Sequence, residues 1–452
     1  MNNTTIIKKE NKMGTMPINK LIINMSIPIV ISMLIQALYN IIDSIFVAKI
    51  DENALTAVSM AFPIQNLMIA LGSGLGVGVN ACLSRDLGAK KFKSVNKIAM
   101  QGVLLASCSF VLFFLFGLFF TKYFMSSQTN NSTIIQDGSD YLKICSFMSF
   151  GIFFQITFER LLQATGKSFY SMICQVSGAI TNIILDPILI FGLFGMPAMG
   201  VKGAAIATVI GQILSALLGL YFNINKNKEI VFHIRNLKPN FTVIKTILTI
   251  GIPSVLMASI ISITTFVLNK ILITFTPTAV AVFGVYFKLQ SFIMMPVYGL
   301  NSGVVPIIAY NYGANNPNRI KKTYKLAITY ACFIMILGLF TFQIIPETLL
   351  LLFNASQDMI AIGKPALRII SFSFLFAGFC IVTSSVFQAL GRPIYSLISA
   401  VVRQLVFLVP CAYLLSKFNK LELIWFSFLI AEVGSVIMAL YFLKKIRKSL
   451  NL

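Results

Sequence analysis

Three acidic residues lie well inside long apolar stretches of this 452-residue chain, which carries only 14 acids in all. They are Asp43, Asp186 and Glu432. A charge at the centre of a lipid bilayer costs at least ~2.5 kcal/mol, and acids placed there commonly mark the path of an ion or proton. Structural pairing with a buried Lys or Arg is the alternative, but the stretches around Asp43 and Asp186 hold no basic residue in their interior. These two acids are therefore the first candidates for a cation site.

The spacing of the residues predicts a polar cluster around the two acids. Asp43 and Asp186 each precede the end of their apolar stretch by the same number of residues. At the rise of an α-helix, this number places both acids about 10 Å inside the end of a membrane helix. Asn182 shares a helix face with Asp186, and Thr208 is expected at a similar depth in the next stretch. Two carboxylates, an amide and a hydroxyl suit a proton or a Na⁺ ion. For Asn182 and Thr208, hydrogen bonding between helices is an equally good explanation.

The composition places these residues in a membrane protein. The chain is 57% hydrophobic and 11% charged, with a mean hydropathy of +0.86, which is too apolar for a soluble protein of this length. Its apolar runs are continuous rather than alternating, which favours membrane-spanning helices over strands. Twelve spans are predicted, at 25–49, 55–82, 98–120, 141–163, 170–193, 203–223, 246–274, 279–308, 326–346, 365–388, 395–415 and 423–443.

A tandem duplication organises these spans. Shifted by 225 residues, the chain aligns with itself without gaps from Ile27 to Ser396. The predicted fold class is therefore an all-α membrane protein with twelve transmembrane helices in two pseudo-symmetric six-helix lobes. The N-terminal lobe is expected at 1–223, a polar linker at 224–245 and the C-terminal lobe at 246–452. Internal duplication in a membrane protein is typical of transporters.

The second half does not repeat the polar cluster. The positions that correspond to Asp43, Asp186 and Thr208 are Leu268, Cys411 and Val433. A purely architectural role would more often be kept in both halves. The asymmetry therefore favours a coupling-ion site confined to the first lobe.

The basic residues predict the orientation of the chain. The net charge is +22, and with both termini inside, the inner segments hold 25 of the 36 Lys and Arg residues whereas the outer segments hold 9. This positive-inside bias predicts a multi-pass protein of the cell membrane with both termini in the cytoplasm. The charge then reflects topology and attraction to the lipid bilayer, and no binding of nucleic acid is expected.

Several features argue against an enzyme. The seven cysteines show no CxxC spacing, and the single histidine, His233, cannot build a metal site alone. The sequence lacks a GxxxxGK[ST] phosphate loop, so ATP hydrolysis is not expected and no cofactor is predicted. The polar, basic N-terminus runs directly into a full span, unlike a cleavable signal peptide.

The first half contains six short motifs, and each is of modest specificity. They lie at 36–47, 61–64, 87–89, 163–166, 182–187 and 203–212. In their order and spacing they resemble the multidrug and toxic compound extrusion (MATE) family. Arg403-Gln404 and residues 425–432 are similar to its MepA-like branch. The resemblance covers both halves and the linker.

The resemblance implies a central cleft between the lobes and a monomeric antiporter that exports organic cations or other amphipathic drugs. The coupling ion would be H⁺ or Na⁺. The family's first-lobe cation site falls on Asp43, Asn182, Asp186 and Thr208, where a Na⁺ ion is one expectation. Some relatives are thought to use acids of the seventh and tenth spans for Na⁺, but this chain has none there.

The substrate cleft is expected to involve residues from both halves, namely Gln36, Tyr39, Asn40, Arg403 and Glu432. Glu432 has two interpretations, because it and Arg403 both fall near the midplane of the membrane. An ion pair between them would fix the second lobe, or Glu432 would face the cleft and attract a cationic substrate. Lys288 is a competing partner for Glu432.

Two prolines are expected to let the first-lobe helices kink. Pro28 precedes Asp43 in the same span, and Pro187 directly follows Asp186. Each proline removes a backbone hydrogen bond and makes its helix easier to bend. Neutralising the acids with a proton or Na⁺ would reduce the repulsion between the two helices and allow them to repack.

Two other functions stay open from the sequence. A flippase for a lipid-linked precursor would need a cationic cleft to meet pyrophosphate, and Asp43 and Asp186 argue against that. The other alternative is a channel or a twelve-helix carrier of a different fold. The major facilitator class would carry a Gly-x-x-x-Asp-Arg-x-Gly-Arg-Arg-like loop after the second span, and residues 84–91 fit that pattern poorly.

Overall fold

The computed structural model describes residues 10–353 and 355–450, and every regular element in these ranges is a helix. Residues 1–9 and 451–452, which belong to the two predicted lobes, lie outside the described residues. Nine α-helices form the described first half: α1 (Lys12–Thr15), α2 (Ile18–Ala48), α3 (Glu52–Gly88), α4 (Phe92–Phe119), α5 (Thr121–Ser126), α6 (Ser132–Phe147), α7 (Phe150–Ala164), α8 (Ser168–Phe191) and α9 (Val201–Asn225).

The described second half has nine more: α10 (Phe241–Leu272), α11 (Pro277–Gly313), α12 (Pro317–Ile344), α13 (Pro346–Leu351), α14 (Gln357–Ser371), α15 (Phe374–Ala389), α16 (Pro393–Val401), α17 (Val409–Ser416) and α18 (Leu421–Leu450). A π-helix, Val402–Leu408, joins α16 to α17. Two 3₁₀ turns, Leu193–Gly195 and Ile234–Leu237, lie in connecting segments.

The all-helical membrane fold is confirmed. Among the described residues, 10 helical segments are long and apolar enough to cross a membrane, and two bent pairs bring the number to 12 when each pair is one span. The pairs are α6 with α7, bent by 47°, and α14 with α15, bent by 51°. Both pairs begin before the spans predicted at 141–163 and 365–388. The sequence prediction started too late because the first turns of these helices are polar and do not resemble membrane segments.

The 225-residue repeat reappears in the helix boundaries. The helices α3, α4 and α5 correspond residue for residue to α11, α12 and α13. Likewise α8 corresponds to Pro393–Ser416, but α8 is α-helical throughout whereas the second copy contains the π-helix. The duplication therefore preserved the architecture and changed one helix locally.

The two halves meet closely at one end of the molecule. The helix α3 packs on α10 and α11, and α2 packs on α11. The related glycines Gly88 and Gly313 let α3 and α11 touch, because a Cβ on either residue would collide with a backbone carbonyl of the other helix. Arg85 and Lys90 lie beside this contact, so we call it the basic end.

A short N-terminal segment, residues 11–16, crosses between the halves at the basic end, and we call it the strap. Met13 is fully buried, and its carbonyl oxygen accepts hydrogen bonds from Asn311 Nδ2 (3.1 Å) and Arg319 Nη2 (3.0 Å) of the second half. Asn11 Nδ2 donates to the carbonyl of Thr165 (3.0 Å) in the first half and to Glu229 Oε1 (3.1 Å) in the linker. The strap therefore ties the two halves together.

Candidate functional site: a polar cluster in the first half and an ion pair in the second

The polar cluster of the first half is built by α8 and α9. Asp186 is completely buried, and Asn182 lies one helical turn before it. In the orientation that satisfies its neighbours, the Asn182 amide donates to Asp186 Oδ2 at 3.1 Å. It accepts hydrogen bonds from the Thr208 backbone N–H at 3.1 Å and hydroxyl at 3.3 Å. Asn182 thus links Thr208 to the buried carboxyl group.

Asp43 reaches the same cluster from α2, which packs on α8. Its carboxyl group lies within hydrogen-bonding reach of the Asp186 carboxyl group. Two carboxyl groups can form such a bond only with a shared proton, and two bare carboxylates at that separation need a cation between them. Asp43 Oδ1 is buried and has no hydrogen-bond partner among the described residues. A shared proton or a bound cation would therefore stabilise this arrangement of the two groups.

Two glycines bring α8 and α9 close enough for this cluster to form. A Cβ on Gly211 would lie 2.6 Å from the carbonyl oxygen of Gly178, and one on Gly178 would lie 2.7 Å from that of Gly211. Gly178 is one turn from Asn182, and Gly211 is close to Thr208 in α9. The close backbone contact therefore sets the distance across which Asn182 and Thr208 bond.

A polar cavity of about 230 Å³ in the first half adjoins the cluster. Asn182 and Thr208 line it, as do the predicted cleft residues Gln36 and Tyr39. Gln36 Oε1 accepts a hydrogen bond from Gln175 Nε2 at 2.6 Å. The remaining predicted residue of this group, Asn40, is exposed and its side chain is not part of the cavity wall.

The sequence reasoning missed a further buried acid in this cavity. Glu159 on α7 is only 7% exposed, and its Oε1 accepts a hydrogen bond from Gln155 Nε2 at 3.1 Å. Glu159 falls near the end of the predicted span 141–163, so the sequence places it among the acids at helix ends. The neighbouring Arg160 does not pair with it, and its Nη1 donates to Gln163 Oε1 at 3.0 Å.

The two prolines do not interrupt their helices. Pro28 lies inside α2 and Pro187 inside α8, and both helices continue past them. Any role of these residues in bending remains a prediction.

The ion pair of the second half joins the π-helix to α18. Arg403 Nη1 lies 2.8 Å from Glu432 Oε1, and the two side chains are 23% and 11% exposed. The competing residue Lys288 instead has its Nζ 5.8 Å from the centroid of the Phe353 ring. Of the two partners proposed from the sequence, Arg403 is the one that contacts Glu432.

Two cavities surround this ion pair. A central cavity of about 340 Å³ has walls from both halves, and its charged lining residues are Arg160 and Arg403. A second-half cavity of about 300 Å³ lies between α10, α11, the π-helix and α18, and Arg403 and Glu432 both line it. Arg403 therefore stands between the central cavity and the second-half cavity.

No group of three or more His, Cys, Asp or Glu side chains that could hold a metal ion occurs among the described residues. A Na⁺ ion at the polar cluster would therefore depend on the amide and hydroxyl oxygens of Asn182 and Thr208 as well as on the two carboxylates. A proton needs only the carboxylates.

The sequence profile of the MatE family matches residues 28–188 and 253–414, so each half of the chain carries one copy. The chain belongs to the MatE family. The polar cluster lies in the first matched region, apart from Thr208, and Arg403 lies in the second.

Individual MatE relatives support the same assignment along nearly the whole chain. The multidrug export protein MepA of Staphylococcus haemolyticus (strain JCSC1435) is 30% identical over 436 residues, which cover 96% of this chain and 94% of MepA. MepA of Staphylococcus aureus (strain MSSA476) is 29% identical over 420 residues, covering 92% and 91%.

Solved structures agree with the fold. An outward-facing multidrug resistance MATE family transporter of the MOP superfamily superposes with a TM-score of 0.91 at 26% identity, covering 98% of this chain and 99% of that one. A MOP superfamily transporter from Pyrococcus furiosus, described as having a binding pocket of reverse polarity, gives a TM-score of 0.88 at 26% identity, with 98% and 99% covered. The protein is thus a multi-pass membrane transporter of the MatE multidrug efflux family and not an enzyme.

Proposed function

We propose that the protein is an antiporter that couples the entry of H⁺ or Na⁺ to the export of amphipathic, mostly cationic drugs. The observation that carries the proposal is the contact between Asp43 and Asp186 inside the membrane, with Asn182 and Thr208 attached to it. Two buried acids that share one positive charge can hold a coupling cation. The names of the MepA relatives supply the drug-export half of the proposal.

Neutralisation of the acid pair is the event that drives the cycle in this proposal. A proton or Na⁺ between Asp43 and Asp186 removes their mutual repulsion and lets α2 and α8 pack together. Loss of the cation restores the repulsion and favours the other packing. Pro28 and Pro187 each remove one backbone hydrogen bond from these helices, which lowers the cost of bending them.

The orientation follows from charge. The basic end carries residues that the positive-inside rule assigns to the cytoplasm, so its closure by Gly88, Gly313 and the strap shuts the cleft on the cytoplasmic side. Export then requires the strap contacts to break so that drug enters from the cytoplasm. We propose that a single chain, which contains both lobes, is the working unit.

A second candidate is transport of an anionic lipid-linked precursor. One observation favours this function: the charged residues that line the central cavity are Arg160 and Arg403. Two guanidinium groups suit a pyrophosphate better than a drug cation. The acid pair of the first half argues for the cationic drug, since an anionic lipid gains nothing from Asp43 and Asp186.

Dye efflux from proteoliposomes separates these functions. The purified chain is reconstituted, loaded with ethidium, and given a pH gradient or a Na⁺ gradient separately. The proposal expects one of the two gradients to accelerate efflux from wild-type vesicles and to have no effect with Asp186→Asn. The proposal would be contradicted if neither gradient changed the efflux rate of wild-type vesicles. It would also be contradicted if a gradient accelerated efflux as much with Asp186→Asn as with wild type.

A further inference from the structure

An apolar groove of about 390 Å³ lies in the second half at the basic end of the molecule. The first turns of α12, the end of α15 and the last turns of α18 form its walls. Its apolar lining includes Ile320, Val386, Leu390 and Leu443. None of the residues that line this groove lines the three cavities described above. The groove is therefore separate from the candidate transport sites.

Two lysines, one on α12 and one on α18, add positive charge to the groove. Lys321 and Lys444 both line it, and both are exposed. Neither lysine takes part in an ion pair among the described residues, and no described acid lines the groove. The hydroxyl group of Tyr324, also in the wall, is already bonded to Thr383 Oγ1 at 2.9 Å. The groove thus combines an apolar wall with two uncompensated cations.

The chain itself covers the corresponding region of the first half. Shifted by 225 residues, Lys321 corresponds to Asn96 on α4. Asn96 Oδ1 accepts a hydrogen bond from the backbone N–H of Val231, which belongs to the linker, at 2.9 Å. The preceding linker residue, Ile230, is only 4% exposed and belongs to the apolar core. The linker therefore buries an apolar side chain beside the position that carries Lys321 in the second half.

A close helix contact occupies the other side of this region in the first half. Lys444 corresponds to Gly219 on α9. A Cβ at Gly219 would lie 2.8 Å from the Cβ of Phe158, so α9 and α7 touch at this point. In the second half the same position is a lysine in the wall of the groove between α18 and α15. Within the described residues, neither a linker segment nor a glycine contact closes the second-half groove.

The chemistry of the groove selects an occupant that is apolar along its length and negatively charged at one end. The two lysines repel a cationic drug. A phospholipid with a net negative headgroup satisfies both requirements, because its phosphate oxygens accept charge-assisted hydrogen bonds from ammonium groups. Lysine side chains extend from an apolar helix flank to the membrane interface, and basic pockets between helices at this level bind anionic headgroups.

We propose that the groove binds one anionic glycerophospholipid from the leaflet at the basic end. An acyl chain lies against Val386, Leu390 and Leu443, and Lys321 and Lys444 donate hydrogen bonds to the phosphate of the headgroup. The lipid fills in the second half the place that the linker fills in the first. This site is independent of the proposed antiport, since the lipid is neither the substrate nor the coupling ion.

Native mass spectrometry of the purified full-length chain, titrated with one lipid at a time, tests the site. Phosphatidylglycerol is anionic, whereas phosphatidylcholine carries the same phosphate and acyl chains without net charge. Wild type should bind its first phosphatidylglycerol about tenfold or more tightly than phosphatidylcholine, because each lysine near an anionic headgroup contributes about fivefold. Lys321→Gln with Lys444→Gln, the groove variant, should lose this preference.

A matched control removes the same charge from the neighbouring lysines. Lys322 and Lys445 are exposed but do not line the groove, and Lys445 Nζ lies 5.8 Å from the centroid of the Tyr395 ring. Lys322→Gln with Lys445→Gln should therefore keep the preference for phosphatidylglycerol.

Thermal unfolding in detergent checks that the lipid packs into the groove. Phosphatidylglycerol should raise the Tm of wild type more than phosphatidylcholine does, and this difference should vanish in the groove variant but persist in the control. Glycerol 3-phosphate carries the phosphate without acyl chains and should not stabilise wild type. Stabilisation by glycerol 3-phosphate equal to that by phosphatidylglycerol would show that the lysines bind a free phosphate and would overturn the lipid site.

Three further results would overturn the proposal. Equal affinity of wild type for the two lipids would leave the groove to another occupant, such as a segment of a partner protein. An unchanged preference in the groove variant would show that the two lysines do not hold the headgroup. Equal losses in the groove variant and the control would show that the preference comes from the general charge of the surface.

Discussion

Asp186 is completely buried, and its carboxyl group accepts a hydrogen bond from the Asn182 amide and lies within hydrogen-bonding reach of the Asp43 carboxyl group. Substitution to Asn keeps the size and the hydrogen-bonding capacity but removes the ability to carry a proton or to neutralise Na⁺. We therefore expect Asp186→Asn to fold and insert normally while cation-coupled export is lost. Efflux from inverted membrane vesicles measures the loss, and thermal unfolding of the purified variant serves as the folding control. Gradient-driven efflux at the wild-type rate would show that the coupling cation binds elsewhere.

Arg403 offers a stability test at the same scale. Removing one member of a buried ion pair leaves an uncompensated charge, so Arg403→Ala should destabilise the protein by about 3–5 kcal/mol. The double variant Arg403→Ala with Glu432→Ala removes both charges and should recover part of that loss. Chemical denaturation in detergent gives both values. A single variant as stable as the double variant would show that Glu432 does not depend on Arg403.

The positions of single polar residues were predictable from the sequence only in part. Depth and periodicity brought Asn182, Asp186 and Thr208 to one level, and the structure brings these residues into contact. Glu159 was missed because it falls near the end of the predicted span 141–163, where an acid is expected to reach water, although it lines a cavity inside the first half. A charge in the sequence does not say which way its side chain points, and only packing decides that.

At the scale of helices, the contact between α8 and α9 sets the geometry of the polar cluster. Gly211→Ala places a Cβ 2.6 Å from a carbonyl oxygen of α8, so the helices must separate and the bond between Asn182 and Thr208 must lengthen. We expect a severe loss of coupled efflux. Gly284→Ala is the control, because a Cβ at that helical glycine meets nothing within 4 Å. Equal activity of the two variants would mean that the close helix contact is not needed for coupling.

The strap should respond to pH through Lys12, which lies outside the spans. Burial, assisted by the charge of Lys167, lowers the pKa of Lys12 from 10.5 to about 8. A released strap would have the ordinary pKa. Below about pH 8, Lys12 stays charged in the bound strap, and the partial burial of this charge weakens the bound state. It is held more tightly as pH rises from about 8 towards 10.5, since Lys12 loses its proton first in the bound state.

Hydrogen exchange of the strap amides, corrected for intrinsic rates, measures this effect. Protection should increase between pH 7.5 and 9.5 in wild type, a range chosen around the lowered pKa of about 8. Lys12→Met should show no such increase. A wild-type protection that stays constant over this range would contradict the link between Lys12 and the strap.

Local irregularities of the helices could not be predicted from the sequence. The long apolar runs and the repeat predicted twelve spans. The bends after Phe147 and Ser371 and the π-helix Val402–Leu408 have no counterpart in the composition of the sequence. The π-helix contains no extra residue relative to α8, so its form depends on contacts with neighbouring helices, such as that of Arg403 with Glu432. Such a contact joins residues far apart in the chain, so a local reading of the sequence does not reveal it.

At the scale of the whole molecule, transport requires the basic end to open. The strap, Gly88 and Gly313 hold that end shut, and the polar cluster lies towards the opposite ends of α2 and α8. The cation site and the closed gate are therefore separated along the same bundle. The long helices α2, α3 and α11 connect the two regions, so a change in the packing of α2 on α8 reaches the contact between the lobes.

Gly88→Val tests the gate at this scale. The side chain cannot fit against the Tyr310 carbonyl, so the basic end should stay open. We expect drug binding to persist while efflux stops, because the protein cannot close the cytoplasmic side. A cysteine introduced at Met13, which is fully buried where the strap closes the basic end, should then react faster with a water-soluble maleimide than in a wild-type background. Normal efflux by Gly88→Val would show that this close contact is not part of the cycle.

The central claim is that one positive charge at Asp43 and Asp186 competes with a cationic drug, and linkage requires the effect to be reciprocal. The most direct measurement is the equilibrium affinity for ethidium in detergent across a series of pH and Na⁺ values. In wild type, lower pH or higher Na⁺ should weaken ethidium binding, and the double variant Asp43→Asn with Asp186→Asn should make the affinity independent of both. An ethidium affinity that depends on pH or Na⁺ as strongly in the double variant as in wild type would contradict the claim.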